Sequence, residues 1–177
     1  MRKTLSLAVS VLSLLGCTPL VMVRQAAEPS LKPAADKATL VLFRSKGVGG
    51  SATVSTYVDG KFIGQTRGKS YFVAPIDPGA HHLTSIADNK TVSKVTLEPG
   101  KVYYVRQDTP FGQASFNGTS ASEFEREKGE MDYFVRDSTQ PEPLLDAQTH
   151  QHLLAEYDEE VKKDPARVKD MLELQGF

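Results

Sequence analysis

The chain has one cysteine, Cys17, and no tryptophan in 177 residues. A single thiol excludes an internal disulfide, so the folded part must be held by its core and its hydrogen bonds. The missing tryptophans remove the largest aromatic surface that sugar-binding sites recruit. Charge of either sign is scarce in surplus, with 21 basic against 22 acidic side chains. That balance excludes electrostatic capture of nucleic acid or of an anionic lipid surface. Reaction motifs are missing as well. The chain contains neither the HExxH nor the CxxC spacing of zinc sites, and neither a GxSxG elbow nor an SxxK pair that would activate a serine. No catalytic residue, metal or cofactor is expected.

What is there begins at the N-terminus. Arg2 and Lys3 precede an uncharged run from Thr4 to Leu15, the layout of an export signal. Leu14-Leu15-Gly16-Cys17 follows, which resembles the bacterial lipobox: aliphatic and small residues before one cysteine, cleaved between Gly16 and Cys17. The thiol would carry a diacylglycerol thioether. Two other readings stay open, a plain buried cysteine and an uncleaved span, since Thr4 to Val23 has about the length needed to cross a bilayer. Loss of Arg2 and Lys3 with the leader takes the formal charge from −1 to −3, so the acyl chains must do the anchoring. Thr18 stands where many enterobacterial lipoproteins kept in the inner membrane have Asp, and by that resemblance the outer membrane, facing the periplasm, is expected. Residues 17–37 read as a lipidated cysteine and a flexible tether broken by Pro19, Pro29 and Pro33, with a coil span of roughly 25 Å.

A β-sandwich domain is expected over 38–137, with a helical extension over 138–177. Leu40 to Phe43 is a continuous apolar run, predicting a central strand covered on both faces. Ala52 to Val58 alternates and ends at Asp59-Gly60 before Lys61-Phe62-Ile63, which predicts a hairpin with a type I′ turn. Asp77-Pro78-Gly79 and Glu98-Pro99-Gly100 are type II turn candidates. Strands are placed at 71–74, 81–86, 91–97 and 101–107, with Asp88-Asn89 turning between the middle two. Spacing of this kind, with turns and no intervening helices, argues for a small antiparallel sandwich or barrel.

Tyr57-Val58-Asp59-Gly60-Lys61, Gly64, Ile76-Asp77-Pro78-Gly79 with His81 or His82, and Glu98-Pro99-Gly100-Lys101-Val102-Tyr103-Tyr104-Val105 together resemble an uncharacterised family of small bacterial lipoproteins. Their order is also similar to PEGA-type β-sandwich modules. The resemblance covers Ala38 to Gln107 and implies a fold, with envelope association and a display or binding role.

Past Asp108 a Gly-, Ser- and Glu-rich stretch carries Phe111, Phe116 and Phe124. These rings are candidates for a partner-binding loop or for pins that hold the loop to the core. A last strand is expected at 131–136. Leu153, Leu154, Tyr157 and Val161 fall on one helical face, and Asp164-Pro165 opens a second helix bearing Val168, Met171 and Leu172. Such faces pack on the β domain or serve as a docking arm.

Adjacent His81 and His82 on a strand point to opposite faces and cannot chelate one ion together. Gly47, Gly49 and Gly50 lack a following helix to hold a phosphate. Three function classes result: a non-catalytic lipoprotein that binds or scaffolds an envelope protein, a glycan or small-molecule binder, and an enzyme whose site is assembled by tertiary structure. The partners expected are the membrane, through Cys17, and an envelope protein; nucleic acid is not among them.

Overall fold

A computed structural model describes residues 20–45, 52–109, 113–165 and 176. Its elements in chain order are β1 (Met22–Gln25), β2 (Ala38–Arg44), β3 (Thr53–Val58), β4 (Lys61–Arg67), β5 (Ser70–Ile76), β6 (Gly79–Ile86), β7 (Lys90–Leu97), β8 (Val102–Asp108), β9 (Ser115–Thr119), α1 (Ala121–Lys128), β10 (Asp132–Arg136) and α2 (Ala147–Lys163). The strands form a six-stranded sheet, β1-β10-β5-β2-β8-β9, and a four-stranded sheet, β4-β3-β6-β7.

The apolar run at Leu40 to Phe43 makes β2 the centre of the larger sheet, between β5 and β8, with every residue of the strand buried. Alternation along a strand sends successive side chains to opposite faces. Leu40 and Leu42 accordingly join Phe72, Leu83, Val95 and Val105 in the core between the sheets. Val41 and Phe43 face the other way, into a second cluster with Tyr71, Tyr104 and Phe124. That second cluster lies on the outer side of the larger sheet, where α1 covers it. On the outer side of the smaller sheet α2 packs, bringing Tyr157 to His82 with ring centroids 6.0 Å apart. The amphipathic helix at 147–163 therefore lies against the β domain, as packing predicts. The second C-terminal helix expected after Pro165 lies outside the described residues, as do Gly47, Gly49 and Gly50.

Turn chemistry fixes the hairpins. Asp59 and Gly60 both have positive φ, 48° and 79°, which is the requirement of a type I′ turn. Gly100 at φ 71° suits the second central position of a type II turn, whereas Gly79 at φ 134° opens β6.

Three expectations change. The sandwich is not purely antiparallel, because β2 pairs in parallel with β8 and β10 with β5. The stretch read as a tether contributes β1, antiparallel to β10 from Met22↔Arg136 to Gln25↔Tyr133. Leu20 to Val23 is apolar enough for a strand, but it continues the uncharged leader and its partner lies far along the chain. The Gly-, Ser- and Glu-rich stretch holds β9 and α1. Ser120 caps α1 by accepting a hydrogen bond from the Glu123 N–H, and Ser120-Ala121-Ser122-Glu123 is a capping-box sequence that signals a helix start.

Candidate functional site

The burial of the phenylalanines decides their role. Phe116 is 2% exposed and lies in the inter-sheet core, while Phe124 is 0% exposed beneath α1. Phe124 meets Phe43, Tyr71 and Tyr104, each with ring centroids 5.3 Å apart. Neither ring is available to a partner, so the reading of Phe116 and Phe124 as contact residues is corrected to one of pins. Phe111 lies outside the described residues. So do Gly16 and Cys17.

The histidines serve structure too. His81 Nδ1 lies 2.7 Å from Asp59 Oδ2, and its Nε2 lies 2.8 Å from the Asp77 carbonyl oxygen. The ring thus joins the β3–β4 turn to the β5–β6 turn and presents no nitrogen to a substrate. Burial works to raise the Asp59 carboxyl, but the His81 hydrogen bond, the His82 N–H and the charge of both histidines outweigh it and hold it below its ordinary value. His82 faces α2, as expected of its neighbour's opposite. His150 sits over Gly60 on the same side. Among the described residues no three His, Cys, Asp or Glu side chains gather at metal-holding distance.

A cavity lies elsewhere, at the β1 edge of the larger sheet. It is a cleft of about 430 Å³, walled by β1 and the segment after it on one side and by α1 and β10 on the other, with Tyr71 and Tyr133 between. A smaller recess continues from it past Leu31 to Phe124. The two tyrosine rings lie 5.2 Å apart at 31°. Burial raises the pKa of both, helped at Tyr71 by the negative charge of Glu28. They remain neutral phenols at physiological pH, offering apolar faces and one hydroxyl each and no nucleophile.

Charge lines the rim in opposed pairs. Arg24 Nη2 bonds Asp132 Oδ1 at 2.7 Å. Lys128 Nζ bridges Glu28 Oε2 at 3.1 Å and Glu125 Oε2 at 2.9 Å. Arg24 and Lys128 face Asp132, Glu28 and Glu125, one carboxylate in excess, so the cleft carries only a weak net field with which to select an anion or a cation. Exposed ion pairs contribute only about 0–1 kcal/mol each, and a polar ligand can exchange its own groups for them at small cost. The arrangement suits a neutral or mixed-charge chain laid over two phenol rings.

No local pattern of residues signals this cleft. Tyr133 falls in the last expected strand and Tyr71 in an earlier one, and nothing local says that β10 lies beside β5. The Glu28–Lys128 pair closes one end of the cleft across a hundred positions of chain.

Residues 34–120 match a family described as "Protein of unknown function (DUF2846)". The matched stretch runs from just before β2 to the cap of α1, so it takes in most of the sandwich and leaves out β1, α1 and β10. The chain is also 26% identical over 121 residues to an uncharacterised protein of Haemophilus influenzae (strain ATCC 51907 / DSM 11121 / KW20 / Rd), over 67% of this chain and 71% of that protein. Both comparisons are to proteins without an assigned activity, and the likeness is to an uncharacterised family.

Proposed function

We propose that this protein is a bacterial envelope lipoprotein, anchored by acyl chains on Cys17, whose sandwich is a non-catalytic module that binds or scaffolds another envelope protein through the cleft between β1, β10 and α1. The anchoring rests on Leu14-Leu15-Gly16-Cys17 behind Arg2, Lys3 and an uncharged run, with cleavage between Gly16 and Cys17. Thr18 directs it to the outer membrane, facing the periplasm. Among the described residues no helix is long and apolar enough to cross a membrane. The PEGA-like order of turns fits a module for display and binding.

The observation that carries the binding reading is the cleft itself: two neutral tyrosines within a rim of paired charges. Acid–base chemistry needs groups whose pKa values are driven apart at one point, and this rim instead pairs its charges off along its length. A glycan or small molecule is the second reading. The cleft volume of about 430 Å³ favours it, falling within the range of small-ligand sites.

Two measurements test the proposal. Metabolic labelling with a clickable fatty acid should mark the native chain and not Cys17→Ala; equal labelling of both refutes the anchor. A photo-crosslinking residue at Tyr133, used in intact cells, should give a discrete protein adduct that Arg24→Glu removes. Adducts that are diffuse, or unchanged by Arg24→Glu, refute the cleft as the contact.

A further inference from the structure

The first described residues are not a free leash. The Val21 N–H donates to Gln65 Oε1 at 2.8 Å, and Gln65 Nε2 donates to Ser55 Oγ at 3.0 Å, tying Val21 to the smaller sheet. On the other side the Asp137 N–H donates to the Val21 carbonyl at 3.0 Å, tying it to the end of β10. Val21 is 4% exposed, and Leu20 packs against the inter-sheet core. Val21, held from both sides, stands four residues after Cys17. Four residues of fully extended chain span at most about 14 Å.

That limit places one particular corner of the domain near any lipid attached at Cys17: the corner where β1 starts and β10 ends. The segments that meet there carry exposed apolar side chains. Among the described residues the large exposed hydrophobics are Val23, 39% exposed, and Leu144, 89% exposed. Val23 is in β1. Leu144 lies in the segment leaving β10, which is folded back at that end: the Gln140 N–H donates to the Asp137 carbonyl, and Arg136 Nη1 pairs with Glu142 Oε1 at 2.9 Å. Two residues past Glu142, the Leu144 Cα stands within about 7 Å of the Glu142 Cα. At that exposure Leu144 gains almost nothing from burial in the folded chain.

We infer that the β1–β10 corner is a membrane-apposed surface, with Leu144 seated among the lipid headgroups and the sandwich held flat to the bilayer; this rests on the lipid anchor proposed above. The partner is a lipid surface, recognised by apolar insertion and not by charge, since Arg136, which reaches that loop, is already paired with Glu142. The roughly 25 Å coil expected from composition is replaced by a mooring that fixes orientation as well as location. The cleft, beginning at Arg24 on the same strand, then opens close to the membrane.

The test uses the full chain, processed and acylated in cells and then reconstituted in vesicles of phosphatidylethanolamine and phosphatidylglycerol. An environment-sensitive fluorophore goes on Leu144→Cys, the Cys17 thiol being blocked by its acyl group. A control goes on Ser122→Cys, an exposed position on α1 beside the opposite edge of the larger sheet. Headgroup-spin-labelled lipid should quench the probe at 144 several-fold more than the probe at 122. A flexible Gly-Ser spacer inserted between Pro19 and Leu20 should reduce that difference. An acylated, vesicle-bound protein with equal quenching at the two sites, or with quenching unchanged by the spacer, overturns this inference and leaves the anchor standing. Intact mass without acyl chains overturns both.

Discussion

Adding one methyl group at Gly64 tests whether the two sheets are packed as tightly as the structure requires. Gly64 lies in β4, facing β5 across the core. A Cβ there would sit 2.6 Å from Cδ2 and Cε2 of Phe72 and 2.9 Å from its Cγ. Carbon atoms rest at about 3.5–4.0 Å, so the ring must retreat by about 1 Å. Phe72 is 1% exposed and hemmed in by the inter-sheet cluster. Overpacking of this kind costs about 1–3 kcal/mol. A contact as short as 2.6 Å falls in the upper part of that range, and replacing a strand glycine returns about 0.5–1 kcal/mol of chain entropy, which leaves Gly64→Ala destabilised by about 1–2.5 kcal/mol, or roughly 2–10 °C in Tm. Urea unfolding followed by far-ultraviolet circular dichroism is the suitable assay, because the chain has no tryptophan to report by fluorescence. The decisive variant is the double one. Phe72→Ala removes all three ring atoms that clash, so Gly64→Ala in that background should cost less than in the parent, with a coupling of about 1 kcal/mol. A neutral Gly64→Ala, or costs that simply add, refutes the packing argument.

Phe124→Ala should uncover the outer face of the larger sheet. An eight-residue helix is not stable alone, so hydrogen exchange should show the α1 amides losing protection while those of β2 keep theirs; uniform loss across both would mean that α1 is not a separate cover. Global destabilisation should be about 3–5 kcal/mol at most. Asp59→Asn keeps a turn-competent Asn-Gly pair and removes the carboxylate. Because the folded Asp59 carboxyl titrates below its ordinary value, its stabilisation is complete above the unfolded carboxyl's pKa of about 3.9 and disappears as pH falls through the lower folded value. The variant's stability should therefore change less than the parent's below about pH 4; an unchanged slope there refutes the role assigned to the His81 contact.

What could be read from the sequence was local. Leu40-Val41-Leu42-Phe43 announces a strand with two buried faces because hydrophobicity needs no partner to be visible. Asp59-Gly60 announces its turn because few residues tolerate two successive positive φ values. β1 could not be read in the same way: Leu20 to Val23 continues an uncharged leader, and only Phe134 and Val135, far downstream, make it a strand. The parallel β2–β8 pairing is equally silent, since type II turns and alternation set neighbouring hairpins and say nothing of how hairpins stack into sheets. α1 was legible in Ser120-Ala121-Ser122-Glu123 but was masked by the loop-like composition around it. The cleft inherits these gaps, being built where β1, β10 and α1 meet.

The pairing of β1 with β10 also sets an order of events. Val23 meets Val135, so the earliest strand to be made waits for the latest one before it finds its neighbour. Closing a loop of about 110 residues costs on the order of 4 kcal/mol of chain entropy, which the four-residue ladder, its ion pairs and the burial of Leu20, Val21 and Met22 must offset. That edge should seal late in folding and open early under strain, while the centre of the sheet persists. A partner arriving at the cleft would then meet a seam, and by wedging or clasping it could set how long the whole molecule survives.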